Sequence, residues 1–206
     1  MTSTPGSAGP TAAATPRRPE HPSRVVRFTR PERWVHRTTA ALVLLCVATA
    51  ACLYVPQLAE LVGRRALVVT VHEWSGVLVP APFLAGLVSR SFRADLRRLN
   101  RARSPKFNRG QKAYASWLAG AVLVMLGTGL VMWFTHLTPL LWRTSSTFVH
   151  DWLALAVGIV LAGHIAKALA DPEARRGMRT GSVERRWADL NHPGWTEELR
   201  KELDHE

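Results

Sequence analysis

The chain has 206 residues, 47% of them hydrophobic, and carries 27 Lys+Arg against 15 Asp+Glu for a formal charge of +12. In a soluble domain that excess would suggest nucleic acid, but most of the cations fall between long apolar runs, so a lipid bilayer accounts for them and no nucleic-acid partner is expected. The two cysteines, Cys46 and Cys52, share one apolar run and face different sides of a helix, which argues against a disulfide and leaves them as small apolar filler.

Residues 1–24 are rich in Pro, Thr, Ala and Ser, hold no apolar run and read as a disordered tail. Four apolar segments follow, each close to the ~20 residues that an α-helix needs to cross a bilayer. Helices are expected over about 33–58, 66–89, 112–135 and 147–170, inside a membrane domain spanning 25–170. Pro80 and Pro82 predict a kink in the second. The charged stretch 171–206 is expected to form a cytoplasmic tail, helical in part. The expected fold class is therefore an all-α membrane protein: a four-transmembrane-helix bundle with a disordered N-terminal tail and a cytoplasmic C-terminal tail.

Charge sets the orientation. Arg17, Arg18, Arg24, Arg27, Arg30, Arg33 and Arg37 precede or open the first span. Arg90, Arg93, Arg97, Arg98, Arg101, Arg103, Lys106, Arg109 and Lys112 crowd the second connection, whereas the other two connections hold only Arg64, Arg65 and Arg143. By the positive-inside rule both termini and the second connection are expected on the cytoplasmic side of a bacterial cytoplasmic membrane.

An imidazole inside hydrocarbon is costly unless something binds it, so membrane histidines are candidate functional residues. The fourth segment holds His150 and His164, fourteen residues apart. At ~100° and ~1.5 Å per residue they leave nearly the same helix face and lie about 21 Å apart, one towards each membrane surface. His36 stands at the inner start of the first span, and His72 stands early in the second as it re-enters from outside. Depth thus pairs His72 with His150 at the outer level and His36 with His164 at the inner one. Two equal-depth pairs in a four-helix bundle are what two bis-histidine haems b require, since two axial ligands approach one iron from opposite faces. Zinc would want three or four ligands at one level. Gly76, Gly127, Gly129, Gly158 and Gly163 are candidates for making room for a flat macrocycle, or simply for close helix approach. Arg33 and Arg37 flank His36 and are candidates for pairing with haem propionates. His136 is a rival to the outer ligands, while His21, His192 and His205 lie in tails and read as solvated.

Several segments carry a family likeness. RFTRPERWVHRTTAALVLL resembles the opening of the cytochrome b (gamma) subunits of bacterial membrane-bound formate dehydrogenases. KFNRGQK before the third span is similar to their Asn-x-Gly-Gln-Lys signature, the fourth span matches in histidine spacing, and GMRTGSVERRWADLNHPGWTEEL resembles their ending. The resemblance covers most of residues 27–199. It implies a respiratory-chain subunit with two haems b that passes electrons from an iron-sulfur and catalytic oxidoreductase partner outside to quinone, its substrate, at the inner face. It also implies metal ligation by His36, His72, His150 and His164, and a quinone pocket at Asn108, Gly110 and Gln111. An amide pair beside an inner haem has independent chemical sense, because it can hydrogen-bond a quinone carbonyl, although helix capping explains the same residues. Glu73 follows His72 where the family often has proline.

Two rival readings stand beside this one. The chain can be a stand-alone dihaem cytochrome b that oxidises a small reductant such as superoxide, or a haem-free membrane anchor or transporter whose histidines relay protons or bind zinc.

Overall fold

The computed structural model describes residues 23–100 and 106–203. Most of the expected disordered tail, Arg101 and Arg103 of the basic connection, His21 and His205 lie outside the described residues. Arg24, read from the sequence as the end of the tail, opens a short strand, β1 (Arg24–Val26).

The long helix α1 (Arg30–Tyr54) follows. Its start is fixed locally: Glu32 Oε2 accepts hydrogen bonds from Thr29 N at 2.6 Å and Thr29 Oγ1 at 2.9 Å, and Pro31 occupies the first turn, where its missing N–H costs nothing. A short helix, α2 (Pro56–Val62), ends at Gly63 in the left-handed conformation, φ 61°. The second span is broken in two, α3 (Arg65–Leu78) and α4 (Ala81–Gly86), because Pro80 has no N–H to continue the ladder. Gly86 is needed where α4 crosses α1: a Cβ there would lie 2.7 Å from Val35 Cγ2.

Next in the chain comes α5 (Arg90–Asn100), and the remaining spans are α6 (Arg109–Trp133) and α7 (Leu140–Ala170). Four segments, with α3 and α4 counted together, are long and apolar enough to cross a membrane, so the helical four-span fold expected from the sequence is met. At ~1.5 Å per residue the 31 residues of α7 run about 46 Å, well past a ~30 Å hydrocarbon core. Not one residue in the most apolar stretch of α7 is buried by protein. Side chains this apolar need lipid around them.

Chain order then gives α8 (Pro172–Thr180), β2 (Ser182–Glu184), α9 (Arg185–Asn191) and α10 (Pro193–Leu203). β2 pairs antiparallel with β1, Val25 opposite Val183, so the segment before the first span meets the segment after the last. Val25, Val183, Ala188 and Trp195 form a buried apolar cluster there, with Trp187 and Leu199 packed on it. This cap is bound to the bundle through α1, since Arg33 and Arg37 both donate to the Arg179 carbonyl near the end of α8, at 2.8 and 2.7 Å. Lys106, also buried, ties the second connection to α1 and α5 through ion pairs with Glu32, at 3.5 Å, and Asp95.

Within the bundle α1 packs along α3 and α4, α6 packs along α7, and the two groups touch where α3 meets α6. Among the described residues there is no packed seam between α7 and either α1 or α3. The space between them is where the histidines point.

Candidate functional site

The four membrane histidines meet in two pairs. His36 on α1 faces His164 on α7 with ring centroids 6.4 Å apart and planes tilted by 51°. His72 on α3 faces His150 on α7 at 6.3 Å and 68°. With planes tilted by 51° and 68° neither pair is a face-to-face stack, and the separations can be compared with those of two imidazoles sharing one metal. An imidazole nitrogen binds a first-row metal at about 2.0 Å and the ring centroid sits roughly 1.2 Å behind it, so two imidazoles on opposite faces of one metal have centroids roughly 6.3 Å apart. Both pairs have that spacing.

The donor set agrees. Among the described residues no three His, Cys, Asp or Glu gather where they could hold a metal ion, so each level offers two imidazoles, as a metal already held in a macrocycle would need. Both pairs also bridge helices that do not pack on one another, which leaves room for a flat ring system. Beyond the backbone of their own helix and their chain neighbours, Cβ atoms added at Gly76, Gly127, Gly158 or Gly163 would meet nothing within 4 Å, and one at Gly129 would lie 3.5 Å from His150 Cε1. The residues present therefore fit haem.

Two threonines that went unnoticed in the sequence hold the outer pair. His72 Nδ1 lies 2.9 Å from Thr49 Oγ1 on α1, and His150 Nδ1 lies 2.9 Å from Thr128 Oγ1 on α6. Each hydroxyl is also within reach of carbonyls in its own helix: Leu45 O at 2.7 Å and Cys46 O at 3.0 Å for Thr49, Val124 O at 2.8 Å and Met125 O at 3.2 Å for Thr128. Their signal in the sequence is a threonine within an apolar stretch of helix, too common to single out without knowing which histidine it faces. Beside this level, Tyr54 Oη donates to Asp151, the neighbour of His150.

At the inner level Tyr114 of α6 lies flat on His164, centroids 4.9 Å apart and planes within 12°. Arg33 and Arg37, the candidate propionate partners, are directed to the Arg179 carbonyl, an acceptor that lay outside every span and was invisible to a depth argument. Each uses one of the five N–H donors of its guanidinium there. Asn108 and Gln111 form a reciprocal cap on α6: Gln111 N donates to Asn108 Oδ1 at 2.8 Å and Asn108 N donates to Gln111 Oε1 at 3.0 Å. Both amide oxygens are engaged in this cap, and Asn108, Gly110 and Gln111 are exposed. His136 sits in the turn after α6 with its ring edge-on to Phe134, away from both pairs. His192, read as solvated, is instead buried in the cap. Cys46 and Cys52 are free thiols.

The sequence pattern of the prokaryotic cytochrome b561 family matches residues 27–181, a stretch that holds all four spans and both histidine pairs. Among curated proteins, the chain is similar to the formate dehydrogenase cytochrome b556(fdo) subunit of Escherichia coli K12, 27% identical over 199 residues that cover 86% of this chain and 94% of that protein. It is 32% identical over 103 residues to the nitrate-inducible formate dehydrogenase cytochrome b556(Fdn) subunit of the same organism, covering 47% of this chain and 46% of that one. A formate dehydrogenase cytochrome b556 subunit of Haemophilus influenzae is 24% identical over 200 residues, 85% of this chain and 84% of that protein. With three quarters of its length inside the family pattern, this chain belongs to the prokaryotic cytochrome b561 family.

Proposed function

We propose that this chain is the dihaem cytochrome b subunit of a formate dehydrogenase-like respiratory complex, carrying electrons between a catalytic partner and quinone. His72 and His150 would hold an outer haem b, and His36 and His164 an inner one. The observation that carries this reading is the repeated centroid separation of 6.3 and 6.4 Å at two levels of the bundle. The names of the relatives support the partner assignment. Positive charge gathered at α5, α8 and the start of α1 supports an inner, cytoplasmic placement of both termini in the bacterial cytoplasmic membrane.

Bound haem supplies a one-electron iron couple, and the protein supplies ligation, spacing and a dry path. α7 serves both levels, so one rigid element sets the distance between the two sites, about 21 Å along the axis before the width of each macrocycle is counted. The guanidinium donors of Arg33 and Arg37 left over from Arg179 are available to anionic propionates at the inner level. Quinone is assigned to the N-terminus of α6. Asn108 and Gln111 keep their amide N–H groups for a quinone carbonyl while their oxygens cap the helix, and the exposed Gly110 leaves the backbone open to approach. Tyr114 closes the inner ligand His164 against that end of α6. Protons drawn there from the cytoplasmic water while electrons arrive from outside would charge the membrane, at ~2.3 kcal/mol per charge per 100 mV.

The test is spectroscopic. The full-length chain purified in detergent should show a b-type reduced-minus-oxidised spectrum with two haems per chain, and His150→Ala should lose one and keep the other. A folded, unaltered chain that carries no haem, or a His150→Ala variant that keeps both, overturns the reading. Co-purification of an iron-sulfur protein separates a respiratory subunit from a stand-alone oxidase of small reductants.

A further inference from the structure

The two histidine pairs are not held alike. In the outer pair each Nδ1 meets a threonine hydroxyl at 2.9 Å, and the device occurs twice: Thr49 of α1 serves His72 of α3, and Thr128 of α6 serves His150 of α7. A hydroxyl has one proton. Both threonines have carbonyls three and four residues back in their own helices at 2.7 to 3.2 Å, and a carbonyl can only accept, so the proton goes there and the lone pair faces the ring. Nδ1 then carries the hydrogen, and the lone pair of Nε2 is left for a metal. Among the described residues neither His36 nor His164 has a hydrogen-bond partner for its ring; His164 has the flat face of Tyr114 instead.

The hydrogen bond has a direction of effect on a bound metal. An acceptor on Nδ1–H pushes electron density towards Nε2 and stabilises the more highly charged, oxidised metal. Neighbouring charges are divided in the same sense. Glu73 and Asp151 adjoin the outer histidines in the chain, whereas Arg33 and Arg37 flank His36 at the inner level. Anions favour the oxidised form and cations the reduced one.

We infer that Thr49 and Thr128 are positioning residues that lock the outer histidines in their ligating tautomer and make the outer site harder to reduce than the inner one, building a downhill step from outside to inside. The inference rests on the dihaem reading above. In the step itself one electron leaves the ferrous outer site, which becomes ferric, and reduces the ferric inner site. No proton moves and no other reactant is consumed.

A potentiometric titration of the full-length chain in lipid nanodiscs, followed by its visible spectrum, tests this without turnover. Two waves are expected, and the one missing in His150→Ala should be the lower. The electron should favour the inner site by about tenfold or more in the half-reduced protein, ~59 mV for one electron. Thr49→Val with Thr128→Val should move only the lower wave, upwards, and shrink that preference severalfold. Thr49→Ser with Thr128→Ser should restore it, because serine keeps the acceptor. The inference is overturned if the wave missing in His150→Ala is the higher, or if the valine pair shifts both waves equally or neither. Should the valine protein fail to hold haem, the order of the waves in the unaltered chain and their position in the serine pair still decide. An unaltered chain without haem would fail the dihaem reading, whereas two waves in the wrong order would sink this inference alone.

Discussion

His192 shows how far a single side chain can depart from the environment its sequence position implies. It follows the polar helix α9 in a charged tail, yet it is 6% exposed and lies with its ring 5.5 Å from that of Trp187. Burial, helped by the nearby Arg27 guanidinium and opposed by Asp171, pushes its pKa from 6.5 down to about 4. Arg27 is itself 3% exposed, enclosed by the rings of Phe28, Trp187 and Trp195 at 5.0 to 5.5 Å, and burial, against the pull of Asp171, lowers its pKa to about 10. The sign of the pH effect follows. As pH falls through about 6.5 the unfolded cap takes up a proton that the folded cap refuses until about 4, so stability is complete above that window and drains away across it. Hydrogen exchange of peptides from β2 to α10, corrected for the intrinsic rate, should therefore rise between pH 6.5 and 4, and His192→Gln should flatten the rise. Equal acid sensitivity in the variant would remove His192 as its cause.

At the scale of elements the cap depends on one backbone conformation. α8 ends at Gly181 with φ 97°, and its carbonyl accepts from Arg27 N at 2.8 Å and Phe28 N at 3.0 Å, holding the start of the chain against the end of the helix. A Cβ at Gly181 would lie 2.7 Å from the Phe28 carbonyl oxygen. Gly181→Ala should cost about 1–3 kcal/mol from the backbone conformation alone, with the clash added. The loss should fall on the cap, so trypsin should cut at Arg185 and Arg186 sooner while the α1 and α7 spans stay resistant. Uniform proteolysis of the whole chain would show that cap and bundle unfold as one unit. The break between α3 and α4 was legible as Pro80 and Pro82. The fold of the tail was not, because its apolar residues are few and scattered, and they form a core only once β1 arrives from the other end of the chain.

At the scale of the whole molecule, antiparallel pairing of Arg24–Val26 with Ser182–Glu184 holds the segment before the first span and the segment after the last on one side of the bundle. If that side is cytoplasmic, cysteines introduced by Ser23→Cys and Glu202→Cys should react with an impermeant thiol reagent in inside-out vesicles and not in intact cells. Leu137→Cys, in the exposed turn between α6 and α7, should show the reverse. The opposite labelling would invert the orientation and with it the direction of charge movement. Spans, their number and the position of each histidine along its span are one-dimensional quantities, written in hydropathy and the 3.6-residue turn, so the sequence alone determined them. Which hydroxyl meets which ring, that Arg33 and Arg37 turn to a carbonyl on α8, and that residues 158 positions apart share a sheet were decided only by tertiary packing. The physical reason is that a polar side chain's partner depends on which element lies across from it, and no local pattern records that.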